Sequence, residues 1–446
     1  MRIVLVRPEF STKSTRPYPP FGLIALAPYF DAEVEIIDLQ TEGRFHNVFS
    51  MKPDVIGFTG FSNQLKEIKS LTQIAKAHSK AKIVVGGPGV TIAPEYASSF
   101  LSDADLIVVG DGEYFAESFD EEFLEWWGDE IYRTERFNFQ NHKIPTWHKI
   151  RYKQYFKYPG FAVETSRGCP FNCVWCSAHL VCGKKWRPRT PEDVVAELTF
   201  LKERYGARLF YFSDDNATVD PKRWVRLMRL IKDIGVNAEF HAAEGIQAHH
   251  LNRDTLTLMK QAGFRHITIG AESGVQRVLD KVIDKGGLKV EQTENVVRLC
   301  SEISINVSCY FVIGTAGETL DECEATVDFA EKLRGLGAYS CMVRNAIPIP
   351  GTRMFKIAKQ KGFLTVPEEK LYDSSFIHNP QHLMKTPEWT PEQIMRLVAK
   401  AKRQDAKHLL RDKKTHLFKK GIVRLLTNPK AATKRLKQII TESRQQ

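Results

Sequence analysis

The chain has 446 residues, of which 43% are hydrophobic and 26% charged, a composition typical of soluble globular proteins that excludes a disordered or collagen-like chain. This length predicts two domains of ordinary size and an additional segment. The net charge of +11 is concentrated in residues 391–446, which hold 16 Lys and Arg against 4 Asp and Glu, so the basic character belongs to a tail and does not make the main body a nucleic-acid-binding surface.

Short β-branched apolar runs alternate with helix-like stretches in the first part of the chain. These runs predict strands at residues 3–6, 35–39, 55–59, 83–85 and 106–109. The alternation is the βαβ pattern of a doubly wound parallel sheet. The chain opens on such a strand where a secreted protein has a long apolar leader, and its apolar runs are shorter than the roughly 20 residues that span a bilayer. We therefore expect a cytoplasmic protein.

A second alternation follows an irregular connector at residues 129–159. It predicts strands at residues 161–166, 209–213, 238–242, 266–270, 307–313 and 339–344. Six βα units in series are typical of a partial or complete parallel barrel, whose functional residues lie at the carboxyl ends of the strands. We predict domains at residues 1–128 and 160–375, followed by a basic helical region at 376–446.

Three of the eight cysteines lie within one short loop after the first strand of this second alternation: Cys169, Cys173 and Cys176. Zinc sites usually combine paired CxxC units or histidines, and the chain has no second such pair. A [4Fe-4S] cluster bound by three thiolates keeps one iron open to another ligand. The spacing therefore favours a cluster that takes part in chemistry.

The CxxxCxxC spacing, with Trp175 before the third cysteine, resembles the cluster loop of the radical S-adenosylmethionine (radical SAM) enzymes. Segments 269–274, 313–318 and 350–352 resemble further family motifs: GxESG, GxxGE and PGT. The resemblance implies a partial (β/α)6 barrel in which the open iron binds S-adenosylmethionine and reductive cleavage gives a 5′-deoxyadenosyl radical. It also implies a set of S-adenosylmethionine-binding residues: Trp175, Asp214, Gly270, Glu272, Ser273 and Gly314. Asp214 also suits a helix cap, and this alternative stays open.

The first domain resembles the cobalamin-binding domain that precedes the barrel in a large subgroup of this family. The matching segments are residues 19–23, 86–88 and 110–113, and a flat corrin needs small residues along the strand ends. The implied cobalamin-binding residues are Gly22, Gly86, Gly87, Gly110, Gly112 and Glu113. The DxHxxG motif, which supplies an axial histidine in methionine-synthase-type domains, is missing from residues 1–30. We expect cobalamin bound without a protein histidine, with an empty domain as the alternative.

The resemblance predicts a cobalamin-dependent methyltransferase that acts on an unactivated carbon of a lipid, pigment or natural product. One alternative is oxidative ring closure on a tetrapyrrole, as in the anaerobic magnesium-protoporphyrin monomethyl ester cyclase. Another is a non-enzymatic iron–sulfur or cobalamin-binding regulator. A radical SAM enzyme needs an electron donor such as flavodoxin or ferredoxin. The basic amphipathic tail predicts contact with an anionic membrane surface, or a helical lid with a charged outer face.

Overall fold

The structure is a computed structural model that describes residues 1–9, 18–41, 45–125, 130–155, 160–373 and 381–411. Its strands form two six-stranded sheets and a two-stranded ribbon. The basic tail beyond residue 411, on which the membrane-surface prediction rests, lies outside the described residues. None of the described helices combines the length and the hydropathy of a membrane span.

The first sheet is parallel throughout and has the order β2-β1-β3-β4-β5-β6. Its strands are β1 Arg2–Arg7, β2 Glu33–Asp38, β3 Val55–Thr59, β4 Lys82–Gly86, β5 Leu106–Val109 and β6 Ile131–Arg133. The continuous burial of the apolar runs is typical of strands that are covered by helices on both faces. The order reverses between β1 and β3, and ligands bind at the carboxyl edge beside such a reversal. Because β6 joins this sheet, the first sheet extends beyond the predicted domain boundary at residue 128.

Seven helices of the described chain accompany this sheet. They are α1 Phe21–Leu26, α2 Asn47–Ser50, α3 Leu65–His78, α4 Pro88–Ile92, α5 Pro94–Phe100, α6 Gly112–Ser118 and α7 Glu121–Glu125. The longest, α3, buries Leu65, Ile68, Thr72 and Ala75. This spacing of three and four residues places all four side chains on one helix face against the sheet.

The second sheet is also parallel and has the order β14-β13-β12-β11-β10-β7. Its strands are β7 Gly160–Val163, β10 Leu209–Phe212, β11 Glu239–Ile246, β12 Phe264–Glu272, β13 Asn306–Ile313 and β14 Ser340–Asn345. The ribbon pairs β8 Ser166–Arg167 with β9 Arg187–Pro188. With β7 and β14 as its edges, the sheet forms the predicted partial barrel. The sequence pattern located all six strands of this sheet.

The second domain contains α8 Ala178–Val181, α9 Pro191–Tyr205, α10 Pro221–Asp233, α11 Arg253–Ala262, α12 Val290–Ile303, α13 Leu320–Gly335, α14 Arg353–Gln360 and α15 Pro391–Arg411. Several of these helices begin at a side chain that accepts a hydrogen bond from the first turn. Thr190, Asp220 and Asn252 cap α9, α10 and α11 in this way, which satisfies backbone N–H groups that the helix leaves unpaired. Asp405 of α15 accepts hydrogen bonds from Ser340 and Cys341, both at 2.7 Å. The start of the basic region is therefore packed on the barrel edge at β14.

Candidate active site

The three cysteines lie on one loop, residues 168–177, which we call the cluster loop. It leaves the carboxyl end of β8 at Gly168, whose φ of +90° favours glycine. A Cβ at this position would lie 2.4 Å from the carbonyl oxygen of Lys185. Cys173 is buried, whereas Cys169 and Cys176 are half-buried. Burial raises the pKa of the Cys173 thiol to about 12, so a positive metal centre is needed to hold this thiol as a thiolate.

The middle of the cluster loop is held by backbone hydrogen bonds to distant segments. Val174 donates to the carbonyl of Ile283 at 2.9 Å and accepts from the N–H of Met354 at 2.8 Å. Ile283 ends a π-helix, Val278–Ile283, an element that is frequent at functional sites. Phe171 packs so closely on Gly286 that a Cβ there would lie 2.1 Å from its ring. The middle of the loop is thus held by contacts that do not involve the cysteine side chains.

The loop after β10 holds the beginning of the cluster loop through three consecutive polar residues. Asp214 Oδ1 accepts hydrogen bonds from Thr165 N–H at 3.1 Å and from the hydroxyls of Thr165 and Ser166 at 2.8 and 2.6 Å. Asp215 accepts from Gly168 N–H at 2.8 Å, and the amide of Asn216 lies 3.7 Å from Cys169 Sγ.

Asp214 does not cap the helix that follows, since Asp220 caps α10, and its contact with S-adenosylmethionine stays a prediction. Its carboxylate positions the strand that leads to Cys169, and burial raises its pKa to about 6. Sequence reasoning gave Asp215 and Asn216 no separate role, because their contacts join segments more than 40 residues apart.

Glu272 lies at the end of β12 with a φ of +63°, a backbone conformation that is costly for a residue other than glycine and clusters at functional sites. A register shift between Gly270 and Glu272 marks a bulge here. Glu272 Oε1 accepts a hydrogen bond from Lys285 Nζ at 2.6 Å, and both side chains are largely buried. A Cβ on Gly270 would lie 2.3 Å from Glu272 Oε1 and 2.9 Å from Lys285 Nζ. Gly270 therefore makes room for this ion pair.

Lys285 is a site residue that the sequence analysis missed. Burial opposes its charge, but the carboxylate of Glu272 and the thiols of Cys173 and Cys176 outweigh burial and raise the pKa of Lys285. The lysine is therefore a buried cation beside the cluster loop. It follows Glu272 by 13 residues across the π-helix, and neither strand nor helix periodicity relates positions with that separation.

The remaining predicted S-adenosylmethionine residues lie at or near the same edge of the barrel. Trp175 is half-buried and its Nε1 is buried without a partner among the described residues. Ser273 contacts Thr326 Oγ1 of α13 at 2.9 Å and accepts from Val275 N–H at 3.1 Å, so its hydroxyl joins β12 to α13. Gly314 has a φ of +77°, and a Cβ there would lie 3.0 Å from the ring of His382.

Some of the glycines predicted to bind cobalamin lie at strand ends of the first sheet, and the others lie in helices. Gly86 and Gly87, together with Gly110, lie at or just beyond the carboxyl ends of β4 and β5. A Cβ on Gly87 would lie 2.2 Å from Thr59 Oγ1, and one on Gly110 would lie 2.4 Å from Thr134 Oγ1, so these two glycines allow neighbouring strand ends to approach closely. Gly22 lies in α1 with open space around it.

Gly112 and Glu113 begin α6, where both contact other parts of the protein. A Cβ on Gly112 would lie 3.2 Å from Leu26, so this glycine packs against α1. Glu113 accepts a hydrogen bond from Arg167 Nη1 at 2.8 Å. Arg167 is also paired with Glu164 at 2.9 Å. The carboxylate of Glu113 thus holds the residue two positions before Cys169.

Asp111 completes this group, which we call the interdomain ion cluster: Asp111, Glu113, Glu164, Arg167 and Arg187. Arg187 Nη1 lies 2.5 Å from Asp111 Oδ2, and both side chains are buried. Arg167 also stacks on Phe139, at 4.8 Å from the ring centroid. The carboxylates after β5 in the first domain are therefore neutralised by arginines that flank the cluster loop, and the two domains are joined at their functional edges.

Two further contacts bring the same edges together. Helix α4, which follows Gly87, packs against α8, which follows Cys176. A Cβ on Gly351, in the PGT segment, would lie 2.5 Å from the carbonyl oxygen of Ile92 at the end of α4. The cluster loop and the glycine-lined edge of the first sheet therefore lie on either side of α4 and α8.

The donor set of the cluster loop suits a [4Fe-4S] cluster. Its three cysteines lie close to one another and close to the buried ammonium group of Lys285. Among the described residues, no three His, Cys, Asp or Glu side chains meet closely enough to hold a single metal ion. In a cluster, each thiolate binds a different iron, so its cysteines need not meet at one point. The buried Trp175 Nε1, which has no partner among the described residues, also fits a polar ligand next to the cluster.

Models of known protein families match both domains of this chain. Residues 11–120 match the B12 binding domain model, and residues 163–330 match the Radical SAM superfamily model. The chain is 31% identical to an uncharacterized methyltransferase, PH0819, of Pyrococcus horikoshii over 90% of this chain and 91% of that protein. The chain belongs to the radical SAM superfamily. More narrowly, it is a member of the methyltransferase group that carries a B12-binding domain, and the predicted family, fold and cofactor set are confirmed at this level.

Two other curated relatives have named substrates. Cytidylyl-2-hydroxyethylphosphonate methyltransferase of Streptomyces wedmorensis is 31% identical over 58% of this chain and 50% of its own length. The anaerobic magnesium-protoporphyrin IX monomethyl ester cyclase of Cereibacter sphaeroides is 27% identical over 74% of this chain and 60% of its own length.

Two solved structures share the fold of this radical SAM chain. TsrM, a radical S-adenosylmethionine methyltransferase from Kitasatospora setae solved with cobalamin and a [4Fe-4S] cluster, superposes with a TM-score of 0.66 at 20% identity over 82% of this chain and 79% of that one. OxsB, a cobalamin-dependent radical enzyme, superposes with a TM-score of 0.61 at 19% identity over 91% of this chain and 56% of that one.

Proposed function

We propose that this enzyme transfers a methyl group from S-adenosylmethionine to an unactivated carbon of a small molecule, with a [4Fe-4S] cluster and cobalamin as cofactors. One observation carries the proposal: the cluster loop and the glycine-lined edge of the first sheet are joined through α4, α8 and the interdomain ion cluster. Bound there, the cofactors supply one-electron cleavage of the sulfonium and a carrier for the methyl group. The names of the Pyrococcus and Streptomyces relatives also support methyl transfer.

In this proposal, the residues of the chain bind the cofactors and position S-adenosylmethionine. Cys169, Cys173 and Cys176 hold the cluster. Lys285, whose charge is maintained by Glu272 at 2.6 Å, binds the carboxylate of S-adenosylmethionine, while Glu272 remains available to its ammonium group or ribose. Gly86 and Gly87 leave space for the corrin at the first sheet, and a flavodoxin or ferredoxin supplies the electron.

The test replaces each cysteine of the cluster loop by alanine and measures 5′-deoxyadenosine under strong chemical reductant. Each of the three variants should lose S-adenosylmethionine cleavage, and Cys182→Ala serves as the control because Cys182 lies outside the CxxxCxxC spacing. Retained 5′-deoxyadenosine in the three single variants would refute the cluster assignment. Absence of turnover in the intact, cluster-loaded protein would favour the non-enzymatic regulator.

A second candidate reaction is oxidative ring closure on a tetrapyrrole, which the similarity to the cyclase of Cereibacter sphaeroides supports. The two reactions differ in the fate of the methyl group. With methyl-labelled S-adenosylmethionine, label enters the product under methyl transfer and stays with methionine under ring closure. The experiment uses a panel of phosphonate nucleotides, tetrapyrroles and lipids, and corrin absorbance that survives gel filtration is measured on the same preparation.

A further inference from the structure

Beyond the substrate site, the outer surface next to the cluster loop carries a group of cations on two separate segments. Lys184 and Lys185 are exposed in the loop that follows α8, and Arg353 and Lys356 are exposed on α14. We call these four residues the cationic face. Burial lowers the pKa of His179, and the charges of Lys184 and Arg353 lower it further. Gly183, next to Lys184, bonds Cys169, and Arg353 bonds Asn172, so both segments lie against the cluster loop and form one patch.

The cationic face is directly connected to the residues that hold the cluster. Cys169 N–H donates to the carbonyl of Gly183 at 3.2 Å, next to Lys184. The N–H of Met354, in the first turn of α14, bonds Val174 between the second and third cysteines at 2.8 Å. Arg353 Nη2 donates to the carbonyl of Asn172 at 3.0 Å. The segments that carry these exposed cations are therefore hydrogen-bonded to the backbone of the cluster loop.

Helix α14 presents charge of one sign on this side. It buries Met354, Phe355 and Ala358, and its charged residues, Arg353, Lys356 and Lys359, are all basic. Lys359 is paired with Glu368 at 2.6 Å, and Arg353 lies 3.3 Å from Asp284. Within the described ranges, no carboxylate lies within ion-pair distance of Lys184, Lys185 or Lys356. Three cations thus remain available to a partner.

We propose that the cationic face is the docking surface for an acidic one-electron donor protein of the flavodoxin or ferredoxin class. The proposal rests on the proposed function, because the cluster must receive one electron for each S-adenosylmethionine cleaved. One electron leaves the reduced flavin or iron–sulfur centre of the donor, and the oxidised cluster gains it. A surface that is held to the cluster loop by hydrogen bonds gives the donor a short path, and opposite charge raises the rate of encounter.

The test compares the cluster-loaded enzyme with a Lys184→Glu, Lys185→Glu, Lys356→Glu triple variant. Binding of an oxidised acidic flavodoxin is followed by the anisotropy of its flavin, without turnover. The triple variant should bind at least about tenfold more weakly at low salt, since it reverses three charges. The difference should shrink as salt shortens the Debye length from roughly 10 Å at 0.1 M to 3 Å at 1 M. A Lys222→Glu, Arg229→Glu, Lys232→Glu variant, which also reverses three exposed charges, on α10, is the matched control and should bind like the unmodified enzyme.

The rate of cluster reduction separates this proposal from the proposed function. Dithionite, which needs no docking surface, should reduce the cluster and drive 5′-deoxyadenosine formation equally in the triple variant and the unmodified enzyme, whereas flavodoxin-driven reduction should fall with affinity. Equal flavodoxin binding by both proteins, or an equal loss in the α10 control, would overturn the docking surface. Binding of the unmodified enzyme to anionic phosphatidylserine vesicles but not to flavodoxin would overturn it in favour of a membrane contact. Failure with dithionite as well would count against the proposed function.

Discussion

Replacing Arg187 by Met tests whether the interdomain ion cluster holds the two domains together. Arg187 donates to Asp111 at 2.5 Å and to the carbonyls of Phe137 and Cys182 at 2.6 and 2.8 Å. Its side chain is 8% exposed and that of Asp111 is 5% exposed. Methionine fills a similar volume without the charge, so Asp111 loses its nearest cation while the packing is largely kept.

The expected cost follows from burial. Removing one partner of a buried ion pair costs about 3–5 kcal/mol, because the other charge stays buried without compensation. Asp111 keeps Arg136 at 3.6 Å and Arg167 at 3.8 Å, and it still accepts from Phe137 N–H at 2.9 Å. These remaining contacts place the expected loss at the lower end, about 3 kcal/mol.

Urea unfolding measures this loss, followed by circular dichroism and tryptophan fluorescence because two domains need not unfold together. With a slope of roughly 3 kcal/mol/M, the midpoint of the less stable transition should fall by about 1 M. Adding Asp111→Asn to Arg187→Met removes both charges and keeps an acceptor for Phe137 N–H. The double variant should therefore be no less stable than Arg187→Met alone. Its loss of unfolding free energy should be about 2 kcal/mol smaller than the sum of the losses of the two single variants.

Arg226→Met is the matched control. Arg226 lies 2.5 Å from Glu192, the same separation as in the buried pair, but the two side chains are 65% and 51% exposed. An exposed pair contributes about 0–1 kcal/mol. If Arg187→Met and Arg226→Met had equal effects, or if Arg187→Met cost less than about 1 kcal/mol, burial of the ion cluster would not be what joins the domains.

Three further predictions concern single positions. Gly87→Ala should destabilise the first domain by at least roughly 1–2 kcal/mol in urea unfolding, because its φ is +89° and the new Cβ meets Thr59; Gly22→Ala, in open helical space, should be neutral or stabilising by up to about 1 kcal/mol. Lys285→Met should weaken S-adenosylmethionine binding roughly ten- to hundredfold by calorimetry, since a charged contact is lost, and unchanged affinity would refute its role. Burial lowers the pKa of His382 to about 4, below the unfolded value of about 6.5. The stabilisation from keeping this ring neutral is therefore complete above pH 6.5 and decreases as the pH falls to 4, by up to about 3 kcal/mol; His382→Phe should remove that part of the pH dependence of unfolding.

The sequence by itself determined the order of the strands of the barrel along the chain and the family, and it predicted the cluster cysteines. Parallel strands that are buried on both faces need continuous apolar runs, and such runs are visible without a structure. The spacing of Cys169, Cys173 and Cys176 is equally local, because three thiolates that bind one cluster from one loop must be close in the chain. The sequence also singled out Gly87, although it did not show that this glycine approaches the side chain of Thr59.

Only the tertiary structure decided what the polar residues near the cluster loop contact. Glu113, predicted from the sequence to bind cobalamin, pairs with Arg167 of the barrel, and Asp214 holds the strand before the cluster loop. Lys285 came to light only beside Glu272. Each of these side chains is buried and charged, and a buried charge requires a partner wherever the fold supplies one. That partner is selected by the approach of two domains or two distant strand ends, which local periodicity does not encode.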